Sequence, residues 1–294
     1  MSAFVAVVDA GGFSAAARQL GMPLATVSRK VAELEEQLHV QLLTRTTRRV
    51  TLTETGQQFL KTCRRVLDEI SEAERLASGE YEAPRGDLVV SAPIVLGRVY
   101  LEPIITEFLD VYPDVDVVLR LTDSVVNLIE EGVDVAVRVG RLPDSSLKAV
   151  RVGQIRYVVC ASPNYLSQYG VPSKPKDLSR HKCVTFTGLE TVREWTFRSG
   201  EQIDRYAIRS RLAVNTAEAA ADAAIAGVGI TRLLCYQVSN AIYDGRLKLL
   251  LRHYEPKPSP VSLVYPSARL VPQKLKAFVD FVAPRLKPRL VFDP

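Results

Sequence analysis

The sequence has few of the residues from which catalytic and metal centres are usually built. Its 294 residues include four cysteines and three histidines. The cysteines, Cys63, Cys160, Cys183 and Cys235, are scattered and include no Cys-x-x-Cys pair, which is typical of reduced thiols and argues against a disulfide framework or a metal site. The serine-hydrolase, zinc-protease, phosphate-loop and dinucleotide-binding motifs are missing as well. We therefore expect neither an enzyme nor a protein with a metal or an organic cofactor.

Long apolar runs are also missing. No stretch approaches the roughly 20 apolar residues that cross a bilayer, and no charged-then-apolar leader opens the chain. With 47% hydrophobic and 24% charged residues the composition is that of an ordinary soluble protein, long enough for two or three domains. The expectation is a cytoplasmic protein with no membrane partner.

The net charge of +5 does not by itself indicate a nucleic-acid partner. Acidic and basic residues balance through residue 85, and the whole excess of Lys and Arg lies beyond it. Local clustering is the better signal, because a phosphate backbone is bound by cations gathered on one surface. The cationic side chains that cluster near the start are Arg29, Lys30, Arg45, Arg48 and Arg49.

Residues 12–56 predict two short helices, a tight turn and a basic hairpin. Ser14 suits the N-cap of a helix over 15–20, and Gly21 suits its left-handed end. Pro23 would open a second helix that continues to about His39. On it an apolar stripe recurs at spacings of four, three and four residues, formed by Val27, Val31, Leu34 and Leu38.

The opposite face of this second helix is small, hydroxylated and cationic. Small side chains let a helix approach base edges, and cations neutralise phosphate. The candidate DNA-contacting residues here are Ala25, Thr26, Ser28, Arg29 and Lys30. Two short amphipathic helices joined by a glycine turn are also common in all-α domains, so this stretch alone leaves both interpretations open.

The following segment favours DNA. Residues 44–53 are rich in threonine and arginine, and the alternation through Val50, Thr51 and Leu52 suits a short hairpin, or wing. A cationic, hydroxyl-bearing wing beside a recognition helix suits a phosphate backbone. Its candidate contacts are Arg45, Arg48, Arg49 and Thr53.

In order and spacing these residues resemble the LysR-type transcriptional regulators. The resemblance is carried by Phe13-Ser14-Ala15-Ala16-Ala17, Val27-Ser28-Arg29, Leu34-Glu35, Gln41-Leu42-Leu43 with Arg45, and Leu52-Thr53-Glu54-Thr55-Gly56. Two features depart from it. The first helix begins at about Ala3, so either the true start lies upstream or this helix is shortened, and the turn at Met22-Pro23 lacks the Gln-Pro often seen there.

The resemblance implies an α+β multidomain fold: an N-terminal winged helix-turn-helix, a long linker helix and a C-terminal two-lobed α/β domain of the periplasmic-binding-protein type. The expected boundaries are 1–53 for the DNA-binding domain, 54–79 for the linker helix, 80–86 for a hinge and 87–294 for the effector-binding domain. Within the last, lobe I is expected at about 87–162 and 266–294, and lobe II at about 163–265.

The linker helix carries a seam with a period near 3.5, as in coiled coils. Its positions are Phe59, Cys63, Val66, Ile70, Ala73 and Ala77. Such a helix either packs on its own domain or pairs with a second copy; the resemblance implies an antiparallel pair in a homodimer. A dimer would place two recognition helices on one face, so the target would be double-stranded DNA with an imperfect inverted repeat. Two dimers joining into a tetramer is the further expectation.

Past Gly86 the pattern alternates between strands and helices, which predicts a mostly parallel sheet covered on both faces. Strands are predicted at 88–90, 115–121, 133–139, 156–161, from 228 onward and at 261–265. Helices are predicted at 100–111, 125–131, 217–226 and 271–285.

Ligands of such sheets bind beyond the carboxyl ends of strands, against helix N-termini. Backbone N–H groups near Ile94 and a nearby hydroxyl could hold a carboxylate, and an arginine could pair with it. The candidate effector-binding residues are Pro93, Ile94, Val95, Thr122, Ser124, Arg138, Arg141, Asn215 and Thr216. Each has an alternative structural role, as a helix cap or a surface residue. The expected ligand is a small anionic effector of unknown identity.

Taken together, the sequence predicts a homo-oligomeric, sequence-specific DNA-binding regulator in which effector closure of the lobes alters DNA bending and access for RNA polymerase, a candidate partner. The alternative is a small-molecule-binding protein without DNA-binding function, since the C-terminal two-thirds resembles one.

Overall fold

The computed structural model describes residues 1–45, 50–78, 83–140, 147–187, 194–267 and 271–291. The chain divides into two compact units, Met1–Glu82 and Ala83–Pro294. This boundary falls within the predicted hinge 80–86. Residues 80–82 of that segment lie outside the described residues, and Gly86 already begins a strand.

The first unit contains four helices and a two-stranded hairpin among its described residues. In chain order they are α1 (Ser2–Asp9), α2 (Phe13–Leu20), α3 (Leu24–Leu38), β1 (Leu43–Arg45), β2 (Val50–Leu52) and α4 (Glu54–Ser78). The strands are antiparallel, with Leu43 opposite Leu52. The predicted order of two short helices, wing and linker helix is confirmed.

The helix ends differ from the prediction at one residue. Helix α2 begins at Phe13 with Gly12 at its N-cap, so Ser14 already lies inside the helix and caps nothing. Gly21 ends α2 in the left-handed conformation, with φ of 62°. Pro23 is the N-cap of α3, and His39 ends that helix with φ of 54°, a rare conformation for a residue other than glycine.

In its first half the seam of α4 packs on its own domain, one of the two arrangements that the sequence left open. Phe59, Leu60 and Cys63 pack against the core formed by α1, α2 and α3, and the ring of Phe59 lies 5.9 Å from that of Phe4. The first half of the seam therefore faces its own domain and is not available to a partner helix. Ile70, further along, is 46% exposed, and the side chains of Ala73 and Ala77 lie outside the described residues.

The second unit has two lobes, each built on a five-stranded sheet. The strands of lobe I are β3 (Gly86–Ala92), β4 (Val115–Leu121), β5 (Val135–Val139), β6 (Leu147–Ile155) and β14 (Ser259–Pro266). Those of lobe II are β7 (Tyr157–Ala161), β8 (Cys183–Phe186), β11 (Ser210–Val214), β12 (Ile230–Leu234) and β13 (Lys248–Leu250). The strand order is β4-β3-β5-β14-β6 in lobe I and β11-β8-β12-β7-β13 in lobe II. A separate hairpin joins β9 (Glu194–Ser199) to β10 (Gln202–Ala207).

Both sheets are mixed rather than mostly parallel. In lobe I, β3 is parallel to β4 and β5, while β14 is antiparallel to β5 and β6. In lobe II, β8 is parallel to β11 and β12, while β7 is antiparallel to β12 and β13. Strand β6 was not predicted, although it pairs with β14 over its whole length.

Helices cover these sheets. They are α5 (Ile94–Leu96), a π-helical turn (Gly97–Leu101), α6 (Glu102–Val111), α7 (Pro163–Tyr169), α8 (Ala217–Ile225), α9 (Cys235–Tyr243) and α10 (Gln273–Arg289), with two 3₁₀ turns at Pro175–Arg180 and Arg252–Tyr254. Helix α10 packs on α6 and β6 of lobe I, and Phe278 lies edge-to-face with Phe108 at 5.2 Å.

The lobe boundaries predicted at 163 and 265 are corrected by the strand pairing. Strand β7 belongs to lobe II, so the chain leaves lobe I at Arg156, the single residue between β6 and β7. It returns before β14, which belongs to lobe I. An ion pair joins the two crossings, with 2.7 Å between Arg156 Nη1 and Glu255 Oε2.

The helix predicted at 125–131 is wrong. The segment forms turns, and Val125 is 90% exposed. The side chain of Asn127 accepts from Ile129 N at 3.2 Å, a local hydrogen bond that competes with helix formation. Of the helices in the described parts of the chain, none is long and apolar enough to cross a membrane.

Candidate nucleic-acid interface and inter-lobe junction

Helix α3 presents its predicted outward face to solvent. Ala25, Arg29 and Lys30 are exposed, and Thr26 and Ser28 are half-buried at the flanks. The helix can turn this face outward because Val27 and Val31, on the opposite side, are fully buried. The apolar stripe weakens toward the C-terminus, where Leu34 is half-buried and Leu38 is 38% exposed.

The cationic part of this face is partly neutralised by the helix itself. Arg29 Nε lies 3.6 Å from Glu33 Oε1, one turn further along, and both side chains are largely exposed. An exposed pair of this kind contributes little to stability. A phosphate group can therefore compete with Glu33 for the guanidinium.

Glu35 attaches the wing to α3, a role that the sequence did not reveal. Its Oε1 accepts hydrogen bonds from Leu42 N at 2.8 Å and from Leu43 N at 3.0 Å. Leu42 and Leu43 are buried at the start of the hairpin. Glu35 therefore fixes β1 relative to α3. The sequence held one signal of this role: Glu35 follows the apolar position Leu34 and lies only a few residues before the hairpin.

The arginines of the wing are only partly described. Arg45 ends β1, but its side chain lies outside the described residues, as do Arg48 and Arg49. Thr53 has a clear structural role. Its hydroxyl donates to Gln41 O at 2.8 Å and accepts from Gly56 N at 2.9 Å. It thus ties α4 to the wing, and its contact with DNA stays a prediction.

Gly56 has a steric reason to be glycine. A Cβ atom there would overlap the carbonyl oxygen of Leu42. The first turn of α4 can therefore lie against the start of the hairpin only without a side chain at this position. The Thr53–Gly56 pair thus connects α4 to the start of the hairpin, which Glu35 connects to α3.

At the inter-lobe junction, the predicted effector-binding residues split into two groups. Pro93, Ile94 and Val95 form the start of α5, close to the loop after β4, because Thr122 N donates to Ala92 O at 2.9 Å. On lobe II, Asn215 is exposed and Thr216 caps α8 by accepting from Ala219 N at 3.3 Å. Arg98 of the π-helical turn and Glu218 of α8 form an ion pair between the lobes at 3.3 Å.

Several donors and hydroxyls predicted for an effector already have partners in the protein. Arg138 Nη2 donates to Val126 O, and burial lowers the pKa of this guanidinium. Thr122 Oγ1 accepts from Ser124 N at 3.1 Å. Arg141 lies outside the described residues. The assignment of these residues to an effector stays a prediction.

The most consequential residue in this region is not among the predicted effector-binding residues. Asp123 lies between the two chosen hydroxyls, and its Oδ1 accepts from Ile94 N at 3.1 Å. Burial raises the pKa of Asp123 above its ordinary value. The hydrogen bond from Ile94 N opposes this shift, and the charge of Glu218 adds to it. The Ile94 N–H that was expected to hold a ligand carboxylate is thus bound by a carboxylate of the protein.

Tyr236 is the neighbouring residue from lobe II. It lies in the first turn of α9, is 5% exposed, and its ring stands edge-to-face with Tyr100 at 6.0 Å. Burial and the nearby charge of Asp123 raise the pKa of its hydroxyl. The rule that ligands bind beyond strand ends selects this position too, because α9 directly follows β12.

Within the described ranges, no group of three His, Cys, Asp or Glu side chains could hold a metal ion. The four cysteines are buried and free. Burial raises the pKa of the Cys160 and Cys183 thiols to about 12. These thiols are therefore protonated at neutral pH and belong to the core.

Two family models match the chain in succession. A model described as bacterial regulatory helix-turn-helix protein, lysR family, matches residues 1–57, and a model of the LysR substrate binding domain matches residues 81–287. The matched regions correspond to the helix-turn-helix with its wing and to the two-lobed unit.

Named relatives and solved structures agree over nearly the whole length. The chain is 36% identical to the HTH-type transcriptional regulator CrgA of Neisseria meningitidis serogroup C (strain 8013), covering 97% of this chain and 96% of the relative. It is 35% identical to the HTH-type transcriptional activator AaeR of Escherichia coli (strain K12), covering 95% and 91%. The solved CrgA structure from Neisseria meningitidis superposes with a TM-score of 0.63, covering 97% of both chains. The chain therefore belongs to the family of LysR-type transcriptional regulators, with a DNA-binding domain and an effector-binding domain.

Proposed function

We propose that this regulator binds double-stranded DNA through the exposed face of α3 and the wing, as a homo-oligomer, under the control of a small effector bound at the inter-lobe junction. It would act in the cytoplasm, on an imperfect inverted repeat. The observation that carries the proposal is the exposed start of α3. There small, hydroxylated and cationic side chains face outward, and the wing is held beside them by Glu35.

Within this surface, we assign base reading to Ala25, Thr26, Ser28 and Arg29 and phosphate binding to Lys30 and the arginines of the wing. The side chains near the start of a recognition helix reach base edges, whereas those on its flanks meet the backbone. Binding would place two copies on one site, and a pair of dimers would span two such sites. Effector binding would shift the population between two arrangements of the dimers, changing DNA bending and access for RNA polymerase.

A gel-shift assay with the DNA upstream of the protein's own gene tests the first part. Arg29→Ala is expected to relax sequence preference, and Lys30→Ala to weaken binding to all sequences and to reduce the salt slope by about one. Lys276→Ala, at an exposed position of α10 in the other unit, is the matched control. A wild-type protein that ignores such DNA at low ionic strength would support the alternative of a ligand-binding protein without DNA-binding function.

Footprinting of the same DNA with and without a panel of small molecules tests the second part. An effector should change the length or the phasing of the footprint. Substitution at the inter-lobe junction should remove that change and leave the unliganded footprint intact.

A further inference from the structure

Two buried oxygen atoms at the inter-lobe junction have no hydrogen-bond partner among the described residues. They are Asp123 Oδ2 and Tyr236 Oη. Asp123 follows β4 of lobe I, and Tyr236 opens α9 of lobe II. A buried polar group without a partner costs free energy, and its presence in a native structure calls for an explanation.

Asp123 binds the N–H of Ile94 at the start of α5, and α5 packs against α9, the helix that carries Tyr236. The charge of Asp123 is the second-largest cause of the raised pKa of Tyr236, after burial. The side chain of the adjacent Gln237 also acts on the Tyr236 hydroxyl and lowers its pKa, but it does not meet that hydroxyl with the geometry of a hydrogen bond. The pair therefore presents one carboxylate oxygen and one phenol oxygen, contributed by opposite lobes.

The local charge is acidic. Asp123 has no ion pair with a lysine or an arginine of the described chain, and the charge of Glu218 acts on it unfavourably. Arg98, the cation that joins the lobes here, is paired with Glu218. A third orphan oxygen, Glu255 Oε1, is a different case, since the other oxygen of that carboxylate is bound to Arg156.

This arrangement disfavours a ligand carboxylate. The Ile94 N–H is already taken by Asp123, and a second carboxylate beside Asp123 would be repelled. A donor suits the position: Asp123 Oδ2 can only accept when ionised, and a phenol oxygen can both accept and donate.

We propose that the junction recognises a hydrogen-bond-donating end of the effector, a hydroxyl or a cationic amine or amidine, which binds between Asp123 Oδ2 and Tyr236 Oη. The inference rests on the proposed function, in which a small molecule binds between the lobes. Because the two oxygens belong to different lobes, one bound group would link them and favour the closed arrangement of the lobes. An amine or amidine would donate to both oxygens, whereas a hydroxyl would donate to Asp123 Oδ2 and accept from Tyr236 Oη.

Three one-ring probes that differ only in their polar group test the proposal: phenol, benzamidine and benzoate. Binding to the full-length protein is measured by ligand-observed NMR and by thermal shift. We expect phenol, benzamidine or both to bind, and benzoate to bind at least tenfold more weakly, since one hydrogen bond to a charged group is worth about a factor of ten or more. The phenol and benzamidine arms separate a neutral donor from a cationic one.

Asp123→Asn and Tyr236→Phe are near-isosteric test variants. The asparagine Oδ1 can still accept from Ile94 N, so this variant should fold, and its melting temperature should equal or exceed that of wild type because a buried charge is removed. Each variant should lower the affinity of the donor probes about tenfold. If one variant failed to fold, the other would decide the outcome.

The proposal is overturned if benzoate binds as tightly as the donor probes, if no donor probe binds, or if donor binding survives in the folded variants. These failures leave the proposed function intact when the wild-type protein and Tyr236→Phe still shift upstream DNA. If the wild-type protein itself does not shift upstream DNA, the proposed function is rejected instead.

Discussion

Arg29 and Glu33 form an ion pair one turn apart on the exposed face of α3, with 3.6 Å between Nε and Oε1. The guanidinium proposed to read bases is therefore held by a carboxylate of the same helix in the free protein. If Arg29 contacts DNA as proposed, binding exchanges this carboxylate for base or phosphate oxygens.

Glu33→Gln should tighten DNA binding. The substitution frees Arg29 and removes a negative charge that faces the phosphates. Since exposed pairs are worth about 0.2–1 kcal/mol, we expect a two- to fivefold gain in affinity, shared by specific and non-specific DNA. Fluorescence anisotropy at several salt concentrations measures it, with Glu36→Gln, exposed on the same helix, as the control. Unchanged or weaker binding by Glu33→Gln would show that the pair does not compete with DNA.

Glu35→Ala should loosen the wing. It leaves the N–H groups of Leu42 and Leu43 without their acceptor, at a cost of about 2–3 kcal/mol in the free energy of unfolding of the first unit. Glu35→Gln keeps an acceptor oxygen and should be much milder. The free energy of unfolding, measured by chemical denaturation, and the DNA affinity should both be highest for wild type, intermediate for Glu35→Gln and lowest for Glu35→Ala. Equal effects of the two substitutions would mean that the charge matters rather than the hydrogen bonds.

Ile70→Glu should weaken self-association. Ile70 lies on the second half of α4 with 46% of its surface exposed, whereas Phe59 and Cys63 are used by the core of their own domain. A carboxylate at an apolar helix–helix contact is strongly disfavoured. Sedimentation velocity should show a shift toward the monomer. The control Thr62→Glu, exposed on the same helix, should sediment like wild type, and a dimer that tolerates Ile70→Glu would place the interface elsewhere.

His181 should make stability fall in mild acid. Its Nδ1 lies 3.2 Å from the hydroxyl of Tyr165, and burial lowers its pKa from 6.5, against the opposing charge of Asp177. Because the folded protein binds this proton less readily than the unfolded chain, the stabilisation is complete above pH 6.5 and is lost as the pH falls through 6.5 toward the lower folded pKa. His181→Gln should flatten the dependence of unfolding free energy on pH between 7.5 and 5.5. The exposed His253→Gln should leave it unchanged, and a slope that persists in His181→Gln would assign the effect to another group.

The features that could be predicted from sequence are those whose causes lie close together in the chain. The stripe of α3 depends on residues three and four apart, so Val27 and Val31 were placed correctly. Strand β6 was missed because only Val152 and Ile155 of its nine residues are buried, so its sequence shows no apolar run. At 125–131 the side chains of Asn127 and Glu131 accept hydrogen bonds from backbone N–H groups of the same segment, and these local bonds compete with the helix that the apolar pattern predicted.

The candidate site shows the same limit. A seam such as Phe59–Cys63 has one period whether it faces a partner or its own core, so the pattern could not tell which. Asp123 was passed over for two neighbouring hydroxyls, because only the fold brings it to Ile94 N. Tyr236 lies more than a hundred residues from Asp123 in the chain and in the other lobe, so only the fold shows that both residues lie at the same junction.

Those crossing points make lobe II a single continuous insertion within lobe I. Ile155, where the chain leaves, and Ser259, where it returns, are direct partners across β6 and β14. Both connections thus emerge side by side, and the inserted lobe can swing about one narrow pivot. Because a rotation about such a pivot displaces atoms in proportion to their distance from it, a small change where the lobes meet moves the far end of lobe II the most.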